Sequence, residues 1–130
     1  MSRFNTNAHL ARATLESIAY QSVDVAEAME KDSGVKLEVL RVDGGVTAND
    51  LAMQIQADTL GVPVSKPVVA ETTALGAAWL AGSRAGVWPG KEGFAERWRL
   101  QRRFEPAMDD AARDARYGAW KNAVQATMTV

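Results

Sequence analysis

Along this chain the apolar positions recur first with a helical period and then with a short-range alternation, and that switch repeats. In residues 6–31, Ala11, Leu15, Ile18, Ser22, Val25 and Met29 follow one another at spacings of three and four. That spacing predicts one long helix carrying a small-to-medium apolar stripe. Thr6 or Asn5 can cap its start, and Gly34 can stop it after Asp32 and Ser33. Leu37, Val39, Leu40 and Val42 then predict a short strand, apolar enough for the centre of a sheet. A second helix is expected over residues 48–60, with Leu51, Ala52, Ile55 and Leu60 inward and Gly61 as its stop. Val62 to Val64, continued by Pro67, Val68 and Val69, reads as another extended segment, which Pro63 demotes to a sheet edge or a strand start.

A third helix is expected over residues 74–85, opened by Glu71, Thr72 and Thr73 acting as a cap. Its small residues, among them Ala74, Gly76, Ala77, Ala78 and Gly82, would let another backbone approach, so it should be buried, with Gly76 packed against the second helix or the sheet. Beyond Gly86 the pattern weakens: Trp88-Pro89-Gly90 and Glu92-Gly93 are turn signals, and residues 98–104 suit an extended edge. A last helix begins near Asp109, with Tyr117, Trp120, Val124 and Met128 along one face. Helix, strand, helix, strand, helix is half of an α/β layer structure. Two or three strands are too few to cover so many apolar helix faces, so the chain reads as part of a larger sheet.

The most informative stretch lies where the first strand meets the second helix: Leu40-Arg41-Val42-Asp43-Gly44-Gly45-Val46-Thr47-Ala48-Asn49-Asp50. A diglycine turn from strand to helix lets main-chain N–H groups face a ligand without side chains in the way. Asn49, one helical turn on, could add an amide donor and acceptor. A tight structural turn uses the same residues.

Composition narrows the chemistry. The chain has 130 residues, 47% hydrophobic and 24% charged, which suits one domain with a core. A net charge of −1 with mixed signs makes no case for nucleic acid or an anionic membrane. Arg97, Arg99, Arg102 and Arg103 are interrupted by Trp98 and Leu100 and read as a solvated strand or loop face. With no cysteine and a single histidine, His9, disulfides and thiolate metal sites are excluded and no ligand cluster is visible. The N-terminus lacks a signal-peptide core and no apolar run is long enough to span a bilayer, so a cytoplasmic protein is the expectation.

Three separated blocks carry a resemblance. They are Leu40 to Gly45 with Asn49; Met53-Gln54, Gln56-Ala57-Asp58 and Leu60-Gly61; and Glu71-Thr72-Thr73-Ala74-Leu75-Gly76-Ala77-Ala78 with Leu80-Ala81-Gly82. The likeness reaches upstream to Ala11-Arg12-Ala13 and Ile18-Ala19-Tyr20-Gln21, and downstream to Phe104-Glu105-Pro106, Arg116-Tyr117 and Trp120 to Val124. In this order they resemble the C-terminal portion of the FGGY carbohydrate kinases, across essentially the whole chain. Arg41-Val42-Asp43 before the glycines and the Arg103-Phe104-Glu105-Pro106 ending resemble the glycerol-phosphorylating branch rather than the xylulose or ribulose types.

The resemblance implies an actin-like ATPase core of two ribonuclease-H-like domains with nucleotide and sugar between them. Residues 1–130 would form the later, incomplete half of the C-terminal domain. It further implies that Gly45 makes a main-chain contact near ATP or ADP and that Asn49 meets the adenine edge. Read from the residues alone, Gly45 could instead answer a need for positive φ, and Asn49 an N-terminal helix cap. Asp58 would bind nearby backbone or an Arg, or else sit on a solvated helix face. The four tryptophans lack a stacking period and are expected in packing.

The family's phosphate loops, catalytic aspartate and polyol-binding residues match nothing here, so no catalytic and no Mg²⁺-binding residue is assigned in this chain. The expectation is the nucleotide-binding part of an enzyme transferring phosphate from ATP to glycerol, inactive alone and meeting glycerol only together with the missing N-terminal part. The competing expectation is an assembly or nucleotide-binding module of a split kinase from another branch. Exposed edges would then drive pairing with a complementing chain or with itself.

Overall fold

The computed structural model describes residues 2–96 and 98–128; Arg97 of the expected arginine face lies outside them. Helix α1 (Asn7–Ser33) starts after Thr6, whose N–H donates to Nδ1 of His9 at 3.0 Å, and ends at Gly34 with φ 69°. The lone histidine is thus part of a helix cap. Strand β1 (Leu40–Arg41) leads through a 3₁₀ turn (Gly45–Ala48) into α2 (Asp50–Leu60), which stops at Gly61 with φ 70°. Then come β2 (Val64–Pro67), α3 (Thr72–Arg84), α4 (Lys91–Ala95), β3 (Leu100–Phe104) and α5 (Asp110–Met128). Among the described residues no helix is long and apolar enough to cross a membrane.

The strands run in the order β1-β2-β3, β1 parallel to β2 and β3 antiparallel to it. Alternation sends Leu40 and Val42 to one face of the sheet and Arg41 to the other. The core lies on the first face, where Met53 and Ala57 of α2 meet Val64 of β2 and Phe104 of β3, flanked by Leu40, Val42 and Ala52. Helix α1 lies against α2, and α5 joins them through a polar and aromatic seam. Tyr117 is buried, its hydroxyl donates to Oδ1 of Asp24 at 2.5 Å, and Oε2 of Glu27 lies 3.1 Å away. Tyr20 stacks with Trp120 at 5.5 Å between ring centroids.

Several expectations are corrected. The first strand is an edge, not a centre, and it is shorter than residues 37–42 because the Leu37 N–H is diverted to the Glu30 carboxylate at 2.6 Å. The proline-bearing segment is the centre instead. Pro63 precedes the ladder, where its missing N–H costs nothing and its carbonyl accepts from the Leu40 N–H at 2.9 Å. Pro67 falls at the far end, beside a register irregularity. No residue of α3 is buried, and a Cβ on Gly76 would meet nothing within 4 Å. The close approach falls at Gly82, against the Trp88 ring. Glu71 precedes α3 but makes no side-chain cap, and the Thr72 hydroxyl instead bonds the Asp43 carboxylate. The supposed turn at Glu92-Gly93 is the short helix α4, whose Phe94 stacks on Trp79 at 5.2 Å.

Two checks follow. Val64→Ala should lower unfolding stability by about 2 kcal/mol in a urea titration, since the side chain is wholly buried at the junction of helix and sheet. Burial first, and then hydrogen bonds to Asp24 and Glu27, raise the Tyr117 pKa above the usual 10.0. The folded chain therefore holds this proton more tightly than the unfolded one, so the contribution is complete below pH 10.0 and is lost as pH rises beyond it. Tyr117→Phe should flatten that alkaline decline, leaving the smaller part from Tyr20, whose pKa burial also raises.

Candidate functional site: the diglycine turn

At Asp43 the chain leaves the β1 edge and must reverse into a helix within a few residues. Gly44 makes this possible, with φ 83° and ψ 172°, a backbone region that essentially glycine alone occupies. Its N–H donates to the Ala70 carbonyl at 2.7 Å, and its own carbonyl accepts both the N–H and the hydroxyl of Thr47, at 3.1 and 2.7 Å. Thr47 is wholly buried, so the turn is pinned from below. The Asp43–Thr72 hydrogen bond and the Gly44–Ala70 bond fasten it to the start of α3.

Gly45 is different from its neighbour. Its φ is not positive, and a Cβ placed on it would meet nothing within 4 Å. The need for positive φ, one of the two readings of Gly45, therefore belongs to Gly44, and among the described residues no group approaches the position of a Gly45 Cβ. Asn49 is the N-cap of α2: its Oδ1 accepts the Ala52 N–H at 3.1 Å. The cap uses Oδ1 alone and leaves the two N–H donors of Nδ2 available to a ligand. Gly45 and Asn49 are both exposed and lie at opposite ends of the same 3₁₀ turn, as its first residue and its C-cap.

Next to Asn49, Asp50 receives Lys66 at 3.2 Å and Arg102 at 2.5 Å, tying the start of α2 to β2 and β3. Asp58 is half-buried and binds backbone rather than an arginine: its Oδ1 accepts from the Ala107 N–H at 2.7 Å and from Nε2 of Gln54 at 2.9 Å. Gln54 also donates to the Glu105 carbonyl, so one face of α2 holds the segment that leads into α5. Among the described residues no group of three or more His, Cys, Asp or Glu is gathered as a metal site. Of the tryptophans, Trp79, Trp88 and Trp120 pack against rings, whereas Trp98 is 38% exposed beneath the Arg41 guanidinium at 4.8 Å. Sequence reasoning missed the Thr47 pin and the Asp43–Thr72 link. The first had a signal, a hydroxyl three residues after the glycine that turns.

Residues 1–85 match the FGGY family of carbohydrate kinases, C-terminal domain. Over 128 residues the chain is 62% identical to a glycerol kinase of Mycolicibacterium vanbaalenii and 61% identical to one of Mycobacterium tuberculosis. These alignments take in 98% of this chain but 25% of each relative's length. Among solved structures, the Plasmodium falciparum glycerol kinase with ADP superposes with a TM-score of 0.82 at 33% identity, covering 98% of this chain and 26% of that one. A xylulose kinase of Rhodospirillum rubrum gives 0.72 at 28% identity, covering 99% and 26%.

Thermal or urea unfolding should separate the two glycines and the cap. Gly44→Ala is expected to cost about 1–3 kcal/mol, Gly45→Ala less than about 0.5 kcal/mol, and Asn49→Ala about 1 kcal/mol.

Proposed function

This chain belongs to the FGGY family of carbohydrate kinases, and from that membership we propose that it forms the nucleotide-binding, C-terminal part of an ATP-dependent glycerol kinase. Such an enzyme transfers the γ-phosphoryl group of ATP to glycerol, giving glycerol 3-phosphate and ADP. The observation that carries the reading is the pairing of Gly45 with Asn49. One is a glycine without a structural reason in its own chain, and the other a helix cap with two amide donors to spare, on a turn held rigid by Thr47 and Ala70.

Local chemistry supports contact with the neutral end of the nucleotide. Asn49 already occupies the Ala52 N–H, and Asp50 puts a carboxylate in the first turn of α2, an arrangement that suits an uncharged base edge better than a phosphate. Gly45 would let the nucleotide lie against bare main chain while Asn49 reads the adenine edge. Phosphoryl transfer also needs the γ-phosphate held, Mg²⁺ bound and the acceptor hydroxyl oriented. No acidic cluster among the described residues suits Mg²⁺, so in this reading the metal and glycerol belong to the rest of the enzyme. This chain binds and orients the base.

Identity of 61–62% with glycerol kinases supports the glycerol branch; among the solved structures the margin is 33% against 28% for the xylulose kinase. The family match ends at residue 85, yet Phe104 belongs to the same core as Val64. That sharing supports one incomplete domain over residues 1–130. The compartment proposed is the cytoplasm.

Isothermal titration with ADP and ATP tests the site. Binding is expected to weaken at least about fivefold in Asn49→Ala, the loss of roughly one hydrogen bond, and to vanish in Gly45→Val while the fold persists. Equal binding by both variants and the parent would overturn the assignment. The purified chain should phosphorylate no glycerol by itself; measurable turnover would overturn the division of labour.

A further inference from the structure

Arg41 points to the face of the sheet opposite the core, and there it lines a cavity of about 630 Å³ walled by α3, α4 and the start of β3. That volume falls within the roughly 300–1,000 Å³ of small-molecule sites. The interior is apolar and aromatic. Trp79 of α3 stacks on Phe94 of α4 at 5.2 Å between ring centroids, and its Nε1 donates to the Pro89 carbonyl at 3.0 Å. With the indole N–H satisfied by main chain, the ring meets the cavity as an apolar surface. Val68, Val69 and Trp98 complete the lining and are 59%, 47% and 38% exposed. The Val68 N–H donates to the Arg99 carbonyl at 2.9 Å, which fixes the segment after β2 against the start of β3.

The charges around this cavity are of one sign. Arg41, Lys91 and Arg99 line it, and no Asp or Glu does so among the described residues. All three are exposed, so they stand at its mouth rather than its floor. With 16 acidic and 15 basic residues in the chain, such segregation is a local feature and not a consequence of composition. Elsewhere on the sheet the cations are neutralised, Lys66 and Arg102 by Asp50 and Arg103 by Glu105. Arg41, Lys91 and Arg99 form no ion pair among the described residues. Arg41 lies over the Trp98 ring at 4.8 Å from its centroid, an attraction that leaves the guanidinium N–H donors open to an acceptor.

These features select a ligand class. An apolar interior cannot replace the water of a heavily hydrated polyanion. Three unpaired cations repel amines and other positive groups. A carbon body with one anionic head satisfies both conditions. We propose that the cavity binds a small amphipathic organic anion, a carboxylate or sulfonate with an apolar tail. The tail lies among Trp79, Phe94, Val68 and Val69, and the head is held by Arg41, Lys91 and Arg99. The inference does not rest on the kinase reading.

A nuclear magnetic resonance titration with octanoate, and with octanol as its uncharged counterpart, tests the proposal. Octanoate is expected to bind saturably and at least about tenfold more tightly than the alcohol, because only the anion gains charged hydrogen bonds. Its tail should give nuclear Overhauser contacts to the methyl groups of Val68, Val69 and Leu75. Arg41→Gln combined with Arg99→Gln should weaken octanoate at least about fivefold and leave octanol unchanged. Lys91→Gln, at an exposed position without an ion pair, should act in the same direction with the thermal unfolding of the parent chain. Leu75→Trp, which fills the cavity, should weaken both compounds. Equal affinity for octanoate and octanol would overturn the proposal, as would the absence of saturable octanoate binding. Octanoate binding that ignores every one of the cation substitutions would overturn it too. So would contacts to Ile18, Val25 and Met29 in place of Val68, which would assign the anion to the surface of α1.

Discussion

Val64 has no exposed surface, and it touches the helical layer and both neighbouring strands at once. Its strand pairs with β1 on one side and β3 on the other, while Met53 and Ala57 cover it from α2. Helix α2, the turn before it and the antiparallel return of β3 all take their positions from this contact. The polar ties add direction: Asp50 reaches Lys66 and Arg102 across the strands, and Gln54 and Asp58 hold the carbonyl and N–H of the segment before α5. Exposed ion pairs of this kind contribute little energy, so they select an arrangement that burial has already made favourable.

The diglycine turn divides labour between two neighbours that look equivalent on paper. Gly44 meets a conformational demand of the chain, and Gly45 meets none. A site that must be rigid and also bare is built by fixing the first residue and the buried Thr47 while leaving the second open. Asn49 serves the helix with its oxygen, and its amide nitrogen takes no part in that cap. The cap occupies the oxygen alone, so the capping role of Asn49 does not exclude the nucleotide contact proposed for it.

What was legible in the sequence is what local chemistry decides. Thr6, Gly34, Asn49 and Gly61 marked helix ends because caps and left-handed stops act within a few residues. The period over residues 6–31 marked a helix of the right extent. Illegible was anything set by partners distant in sequence. Pro63 signalled an edge or a strand start without deciding between them; it stands one step before the ladder of a central strand and still supplies a carbonyl to β1. The small residues of α3 promised burial, yet none is buried; of its two glycines, Gly82 has the Trp88 ring against it and Gly76 has nothing within 4 Å of a Cβ. The period of α1 marked a stripe that includes Ile18, Val25 and Met29, whereas the residue most deeply buried on that helix is Ala19. Periodicity reports which positions share a face. It does not report which face the rest of the chain occupies.

The seam between α1 and α5 joins residues 93 positions apart, Asp24 and Tyr117. Closing so long a loop carries an entropic cost that local helix formation does not offset. In synthesis from N- to C-terminus α1 is made before α5, so Asp24 must wait for Tyr117 and Trp120. Until then the acidic and aromatic side of α1 that faces α5 is uncovered. The contacts of α1 with α5 are thus completed late, and until then the nascent protein is open to mispairing at that seam.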